Sequence, residues 1–327
     1  MAQHLSQTVY GKAFEYACVK AFYDRLSGTQ PVVIIDSAPM ETAHSFYYEL
    51  AENKRMNMTL AADAAVHVIK KLEPQLCYPD KNYPLFLSLQ SDASGQAGDV
   101  RDVLCIRNQN DWEIGLSCKH NHFAVKHSRL SATINFGRDW FGISNSDNYF
   151  HNIVPVFEEL KDIRNNSIAS GRVALWRDIP KKEERFYVPI LEAFITELTS
   201  LHINNSTLIP SRLIQYLIGR NDFYKVISVE NNKYTRVDAI NIYGTLNKQS
   251  EGKSSIIKVP KLHLPHEFYY IGFVPNSKNT IRIVCDEGWE ISMRIHNASS
   301  RVEPSLKFDV NLVSMPVTIC SQIQPWL

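Results

Sequence analysis

In the last third of the chain, apolar and polar residues alternate within a series of short segments. This pattern constrains the fold more than any other feature of the sequence. Seven such segments follow residue 222, among them FYKVISVE, TIRIVCD and LKFDVNLV. Alternation with a period of two places apolar side chains on one face of a strand. We therefore expect a β-rich lobe over residues 221–327.

The first two thirds of the chain combine helical and strand patterns. Apolar residues between Tyr10 and Leu26 recur at helical spacing, and Ser27-Gly28 ends the pattern. Further helices are expected near residues 41–50, 58–72, 149–164, 184–203 and 211–218, and strands near 31–37 and 83–90. Residues 1–220 are therefore expected to form a mixed α/β core with helical segments.

The composition narrows the class of protein. Lys plus Arg total 35 against 34 Asp plus Glu, so attraction to a polyanion has to come from local clusters of basic residues. The six cysteines include no C-x-x-C pair, which favours reduced thiols over disulfides or zinc. No stretch reaches the ~18 apolar residues that a membrane span needs, and the N-terminus lacks a signal-peptide pattern. We expect a soluble, intracellular protein with no membrane partner.

The stretch GDVRDVLCIRNQNDWEIGLSCK, residues 98–119, predicts a β-hairpin. Residues 99–107 and 112–119 read as strands, and NQND between them favours a turn. Pairing Arg107 with Trp112 sets Asp102 opposite Ser117. Alternation then places three polar side chains on one face of the hairpin, Asp102, Ser117 and Lys119.

A carboxylate and an ammonium group on one face suit metal-assisted hydrolysis of a phosphodiester bond. Asp102 offers the hard oxygen ligand that Mg²⁺ prefers, and Lys119 can orient water and offset charge on a phosphate. A slip of one residue in the pairing would put Asp99 in the place of Asp102. We expect a Mg²⁺ site with Asp102 as the first candidate and Asp99 as the second.

This arrangement resembles the PD-(D/E)xK nuclease core, in which an acid on one strand faces an acid-x-lysine pair on the next. Here Ser117 stands where the second acid is normally found. The strings GKAFEYA, DVRDV, EIGLSCKHNHFAVKHSRLS and RIHNASSRVEPSLKFDV are similar to the HaeIII family of type II restriction endonucleases, from residue 11 to residue 310. The resemblance implies a restriction-endonuclease-like α/β fold, with a mixed β-sheet core flanked by helices and a β-rich C-terminal lobe.

The resemblance also implies that the missing second carboxylate comes from another part of the chain. Glu15 is the preferred candidate, because the superfamily often supplies a glutamate from the helix that precedes the core strands. Glu113 shares a strand face with Lys119, but six residues at ~3.3 Å each put it about 20 Å away. We expect Glu15 as the second Mg²⁺ ligand, with Glu113 as the alternative.

Two segments are candidates for contact with double-stranded DNA. The chain has no acidic residue between Glu113 and Asp139, and a basic segment suits the closely spaced charges of a phosphate backbone. RIHNASSRVE offers Arg and Asn side chains that can read base edges. An exposed basic loop and a plain turn are the alternatives. The expected DNA-binding residues are His120, Asn121, His122, Lys126, His127 and Arg129, and in the second segment Arg294, His296, Asn297 and Arg301.

The sequence therefore favours a Mg²⁺-dependent type II restriction endonuclease. The resemblance implies cleavage at the palindrome GGCC to blunt ends, and a palindromic target suggests a homodimer. Such an enzyme would belong to a bacterial cytoplasm, beside a companion DNA methyltransferase with which no stable complex is implied. Two alternatives remain open, a repair or structure-selective nuclease of the same superfamily and a catalytically inactive DNA-binding protein.

Overall fold

The computed structural model describes residues 6–77, 83–91, 98–108, 111–121 and 126–327. In these ranges the α-helices are α1 (Gln7–Leu26), α2 (Ala38–Glu49), α3 (Glu52–Leu72), α4 (Pro74–Cys77), α5 (Asp147–Ala169), α6 (Val188–Asn204) and α7 (Leu208–Ile218). The strands are β1 (Val32–Ile34), β2 (Leu85–Leu89), β3 (Val103–Arg107), β4 (Trp112–His120), β5 (Lys126–Ser131), β6 (Phe223–Val229), β7 (Tyr234–Ile240), β8 (Phe268–Phe273), β9 (Thr280–Cys285), β10 (Glu290–His296), β11 (Ser305–Ser314) and β12 (Cys320–Pro325).

The helix boundaries follow capping residues more than the apolar pattern. Helix α1 begins at Gln7, three residues before the predicted start, because the Ser6 hydroxyl accepts a hydrogen bond from the Val9 amide. Helix α2 begins after Ser37, whose hydroxyl accepts from the Met40 amide. None of the helices in the described ranges combines the length and the apolar character needed to cross a membrane.

Seven strands form a mixed sheet in the order β1-β2-β3-β4-β6-β7-β12. The β1–β2 and β4–β6 pairs are parallel, and the other four pairs are antiparallel. One face of the sheet packs in a hydrophobic core with α1 and α3; its strand side includes Leu116, Cys118, Tyr224, Val226, Val237 and Ala239. The expected α/β class, with a mixed sheet flanked by helices, is confirmed.

The other five strands form a separate antiparallel sheet in the order β5-β11-β10-β9-β8. In β11 the buried residues Leu306, Phe308 and Val310 alternate with the partly exposed Lys307 and Asp309. One face of this sheet is therefore apolar and the other is polar.

The chain divides into two compact units that are not consecutive in sequence. The first unit contains Met1–Phe123, Gly219–Leu262 and Thr318–Leu327, and the second contains Ala124–Ile218 and His263–Val317. The sequence-based division into residues 1–220 and 221–327 does not match this partition. Strands β6, β7 and β12 belong to the sheet of the first unit because they pair onward from β4.

Candidate active site

The hairpin of β3 and β4 has the register that the sequence predicts. Arg107 pairs with Trp112 and Val103 pairs with Leu116, and the Asp102 amide donates to the Leu116 carbonyl over 2.7 Å. Strand β3 begins at Val103, four residues later than expected. The reason is local, because the Asp99 carboxylate accepts hydrogen bonds from the backbone amide and the guanidinium of Arg101 and bends the chain.

Asp102 and Lys119 meet at the start of β3. Asp102 Oδ2 accepts a hydrogen bond from the Cys118 amide (2.7 Å) and lies 3.5 Å from Lys119 Nζ. Both side chains are about a quarter exposed, 23% for Asp102 and 26% for Lys119. The acid and the amine are therefore oriented by the sheet backbone and remain open to a ligand.

Glu15 reaches the same place from α1. Its side chain is largely buried, and its Oε2 lies 3.1 Å from Lys12 Nζ. Burial raises the pKa of Glu15 above its usual range, the charge of Asp102 raises it further, and Lys12 and Lys119 lower it. The structure thus brings Glu15, Asp102 and Lys119 into one electrostatic cluster. Lys12, which was not among the residues expected from the sequence, joins this cluster from one helical turn before Glu15.

Asp99 and Glu113 both form ion pairs with Arg101. The Arg101 guanidinium is 2.6 Å from Asp99 Oδ2 and 2.5 Å from Glu113 Oε1. Burial raises the pKa of Asp99, but the hydrogen bonds from Arg101 and Gln90 outweigh it and leave that pKa below its usual value. Both carboxylates are bound to one guanidinium, whereas Asp102 lies beside Lys119 and its charge acts on Glu15. Asp99 and Glu113 are therefore weaker candidates for a metal than Glu15 and Asp102.

Ser117 is buried on β4 beside a second lysine. It pairs in register with Lys225 of β6, which pairs with Asp238 of β7, which pairs with Ser321 of β12. We call these four residues the polar row. Neither Lys225 nor Asp238 was expected at the site from the sequence. The available signal was a charged residue within each apolar strand pattern, FYKVISVE and TRVDAINIYG.

The side chains in this cluster suit a divalent cation. In the ranges that the structure describes, no group of three or more His, Cys, Asp or Glu is arranged to hold a metal. Glu15 and Asp102 provide two hard oxygen donors whose mutual repulsion contributes to the raised pKa of Glu15. Mg²⁺ is commonly held by one or two carboxylates with water and phosphate oxygens completing its shell, so this pair fits such an ion.

His120 points inward. Its Nδ1 is 2.8 Å from Ser228 Oγ, its Nε2 is 3.6 Å from Glu230, and its ring stacks on Tyr10. Burial lowers the pKa of His120. Asn121 is exposed, and its Oδ1 accepts a hydrogen bond from the Glu230 amide. His120 is therefore a poor candidate for a DNA contact, whereas Asn121 is accessible. His122 lies outside the described residues.

The other predicted DNA-binding residues belong to the second unit. Strand β11 pairs with β5 on one side and β10 on the other, so Lys307 stands between Arg129 and His296. Lys126 and His127 lie on β5, but the structure does not describe their side chains. Strands β5 and β10, which carry residues of the two candidate segments, thus lie on either side of β11 in one sheet.

Ion pairs offset much of the charge on this polar face. Arg129 lies 3.6 Å from Glu303, while Arg294 and His296 lie 2.9 and 3.0 Å from Asp309. Asn297 accepts a hydrogen bond from the Tyr187 hydroxyl and donates to the Ser299 carbonyl. Arg301 is exposed and forms a bridge with Leu175 through its backbone. Among the predicted residues whose side chains the structure describes, Arg129, Arg294 and Arg301 are the accessible cations.

The family model of the HaeIII restriction endonuclease matches residues 11–316 of the chain. The type II restriction enzyme HaeIII of Haemophilus aegyptius is 40% identical over 316 residues, which are 97% of this chain and 97% of that enzyme. No solved structure gives a significant match. The similarity therefore extends through both units.

Proposed function

Because the chain belongs to the HaeIII restriction endonuclease family and is accordingly a type II site-specific endonuclease, we propose that Glu15, Asp102 and Lys119 form its active site. The observation that carries this proposal is the convergence of an acid from α1, an acid before β3 and a lysine on β4. Asp99 and Glu113 support the site indirectly, by holding Arg101 beside the hairpin.

Family membership implies a divalent metal, and we propose that it is Mg²⁺, held by Glu15 and Asp102. A bound Mg²⁺ would polarise the scissile phosphate and offset the negative charge that develops on it. The Cys118 amide fixes the Asp102 carboxylate through its hydrogen bond. In this proposal Lys119, whose Nζ lies 3.5 Å from Asp102, donates hydrogen bonds to a phosphate oxygen or to the attacking water.

The substrate is double-stranded DNA, and its proposed target is the palindrome GGCC, cut to blunt ends. We assign DNA positioning to the polar face of β5, β11 and β10, where Arg129 and Arg294 are about half exposed. These side chains, with Lys126, His127, Asn297 and Arg301, are candidates for phosphate and base contacts. A palindromic target fits a two-fold symmetric homodimer. A companion methyltransferase would protect host DNA.

Digestion of a sequenced plasmid in Mg²⁺ tests this function, with the ends of the products mapped. We expect discrete fragments that end within GGCC for the wild type and no cleavage for Lys119→Ala. The matched control is Lys161→Ala, which removes an exposed lysine paired with Glu158 and should cut like the wild type. A smear of products, or equal cutting by Lys119→Ala, would contradict the proposal.

Asp102→Asn separates cleavage from binding. The amide keeps the shape of the carboxylate but lacks the charge that a cation and Lys119 need, so we expect cleavage to fall by at least ~100-fold. Gel-shift affinity for a GGCC duplex in Ca²⁺ should stay within several-fold of the wild type. The control is Asp63→Asn, which alters an exposed pair with Arg25. If Asp102→Asn cuts at the wild-type rate, Asp102 has no role in the chemistry.

A further inference from the structure

Lys225 is a buried charge on the face of the sheet that carries Ser117 and Lys119. Residues paired in register on neighbouring strands point to the same face, and Lys225 pairs with Ser117. Its neighbours in sequence, Tyr224 and Val226, pack in the hydrophobic core on the opposite face. Lys225 is only 5% exposed, so its charge acts in a medium that screens it weakly.

Three charged neighbours act on Lys225. Burial lowers the pKa of Lys225 to about 8, the Asp238 carboxylate raises it, and the positive charges of Lys119 and Arg236 lower it. Lys225 pairs with Ser117, two residues before Lys119 on β4, so the two lysines occupy diagonal positions on one face of the sheet, where their like charges repel. Asp238 is buried, and it accepts hydrogen bonds from Arg236 Nε (2.7 Å) and Ser321 Oγ (2.6 Å). Asp238 therefore has partners besides Lys225.

We propose that Lys225 is a positioning residue of the active site, whose positive charge holds Lys119 on the Asp102 side of the sheet. Lys119 has an attractive partner on one side, Asp102 at 3.5 Å, and a like charge on the neighbouring strand. Repulsion from Lys225 disfavours rotamers of Lys119 that swing toward the polar row and toward Asp238. Lys119 is thereby kept where it can meet a phosphate. This inference rests on the proposed function of Lys119 and adds a residue to it.

Four variants separate this role from that of a simple partner for Asp238, the fourth being Asp238→Asn alone. Lys225→Met removes the charge, Lys225→Arg keeps it, and Lys225→Met with Asp238→Asn removes both charges so that no buried carboxylate loses its lysine. Single-turnover cleavage of a GGCC duplex in Mg²⁺ gives the rate, gel shift in Ca²⁺ gives the affinity, and thermal unfolding shows that each variant is folded.

We expect Lys225→Met and the double variant to cleave about 10- to 100-fold more slowly than the wild type. Their affinity for DNA should change less than about threefold, and Lys225→Arg should recover most of the rate. Asp238→Asn alone should cleave within about threefold of the wild type, because Lys225 keeps its charge.

Recovery of the wild-type rate in the double variant would overturn the inference, since it would mean that Lys225 serves only to neutralise Asp238. Equal losses of rate in the Arg and Met variants would also overturn it. Failure of the proposed function has a different signature, namely wild-type cleavage by Lys119→Ala.

Discussion

Glu73 is a fully buried glutamate between α3 and α4. Its Oε1 accepts hydrogen bonds from the Tyr224 hydroxyl (2.5 Å) and the backbone amide of Asn247 (2.8 Å). Its Oε2 has no hydrogen-bond partner within the described part of the chain. Burial raises the pKa of Glu73 to about 7, although both hydrogen bonds lower it. Near neutral pH this carboxyl group is therefore partly protonated in the folded protein.

Glu73 should make the folded state less stable as the pH rises. Between its ordinary pKa of 4.5 and its folded pKa of about 7, the folded chain binds more protons than the unfolded chain. The stabilisation is complete below pH 4.5 and is lost as the pH rises through 7. The free energy of unfolding, measured with urea at several pH values, should therefore fall more steeply with rising pH for the wild type than for Glu73→Gln. If the free energies of the two proteins change with pH in parallel, Glu73 is ionised in the folded protein. Glu15, whose pKa is also raised, is present in both proteins, so its contribution cancels in the comparison.

At the scale of single residues, the sequence identified Asp102, Lys119 and Glu15 as candidates, and the structure brings them together. Lys225 could not be recognised, because a lysine within a strand pattern is usually a solvated side chain, and only the pairing of β4 with β6 puts it beside Ser117. Asp99 and Glu113 looked equally suitable in sequence. In the structure both are bound to Arg101, whereas the charges of Asp102 and Lys119 act on Glu15.

At the scale of secondary structure, Gly115 lets Arg101 cross the β3–β4 hairpin. A Cβ atom on Gly115 would lie 2.7 Å from Arg101 Cγ and 2.8 Å from Arg101 Cβ, closer than atoms can approach without a shift. Arg101 could then no longer reach Asp99 and Glu113 from its present position. Gly115 is therefore needed for the ion pairs of Arg101, the residue next to Asp102 in the chain.

Gly115→Ala is expected to destabilise the protein by about 1–3 kcal/mol, as other overpacking substitutions do, and to slow cleavage because the chain next to Asp102 shifts. Urea unfolding and plasmid digestion measure the two effects. Gly28→Ala is the control, since a Cβ at Gly28 meets no atom within 4 Å. Equal stability of the two variants would show that Arg101 moves aside without penalty.

The hairpin register could be predicted because NQND favours a turn and because alternation in the flanking strands fixes which residues face the core. The start of β3 could not be predicted in the same way. The side chain of Asp99 bends the chain through its bonds with Arg101, and such a local hydrogen bond competes with strand pairing without changing the apolar pattern.

At the scale of the whole molecule, the division into units depends on pairings between distant segments. Strand β6 joins β4 although more than 100 residues separate Ser117 from Lys225, and β5 joins β11 across a longer interval. The sequence pattern changes from helical to strand-like near residue 220, close to one boundary between the units. This change does not show that residues 219–262 belong to the first unit. Strand patterns predict strands and leave their partners undetermined.

The proposed active site requires Glu15 and Asp102 to bind one divalent cation beside Lys119. Crystals of the protein with a GGCC duplex and Mn²⁺, measured at the manganese absorption edge, test it most directly. We predict an anomalous peak within about 2.0–2.6 Å of carboxylate oxygens from both Glu15 and Asp102, with Lys119 next to the scissile phosphate. A peak bound instead by Asp99 or Glu113, with Glu15 still paired to Lys12, would contradict it.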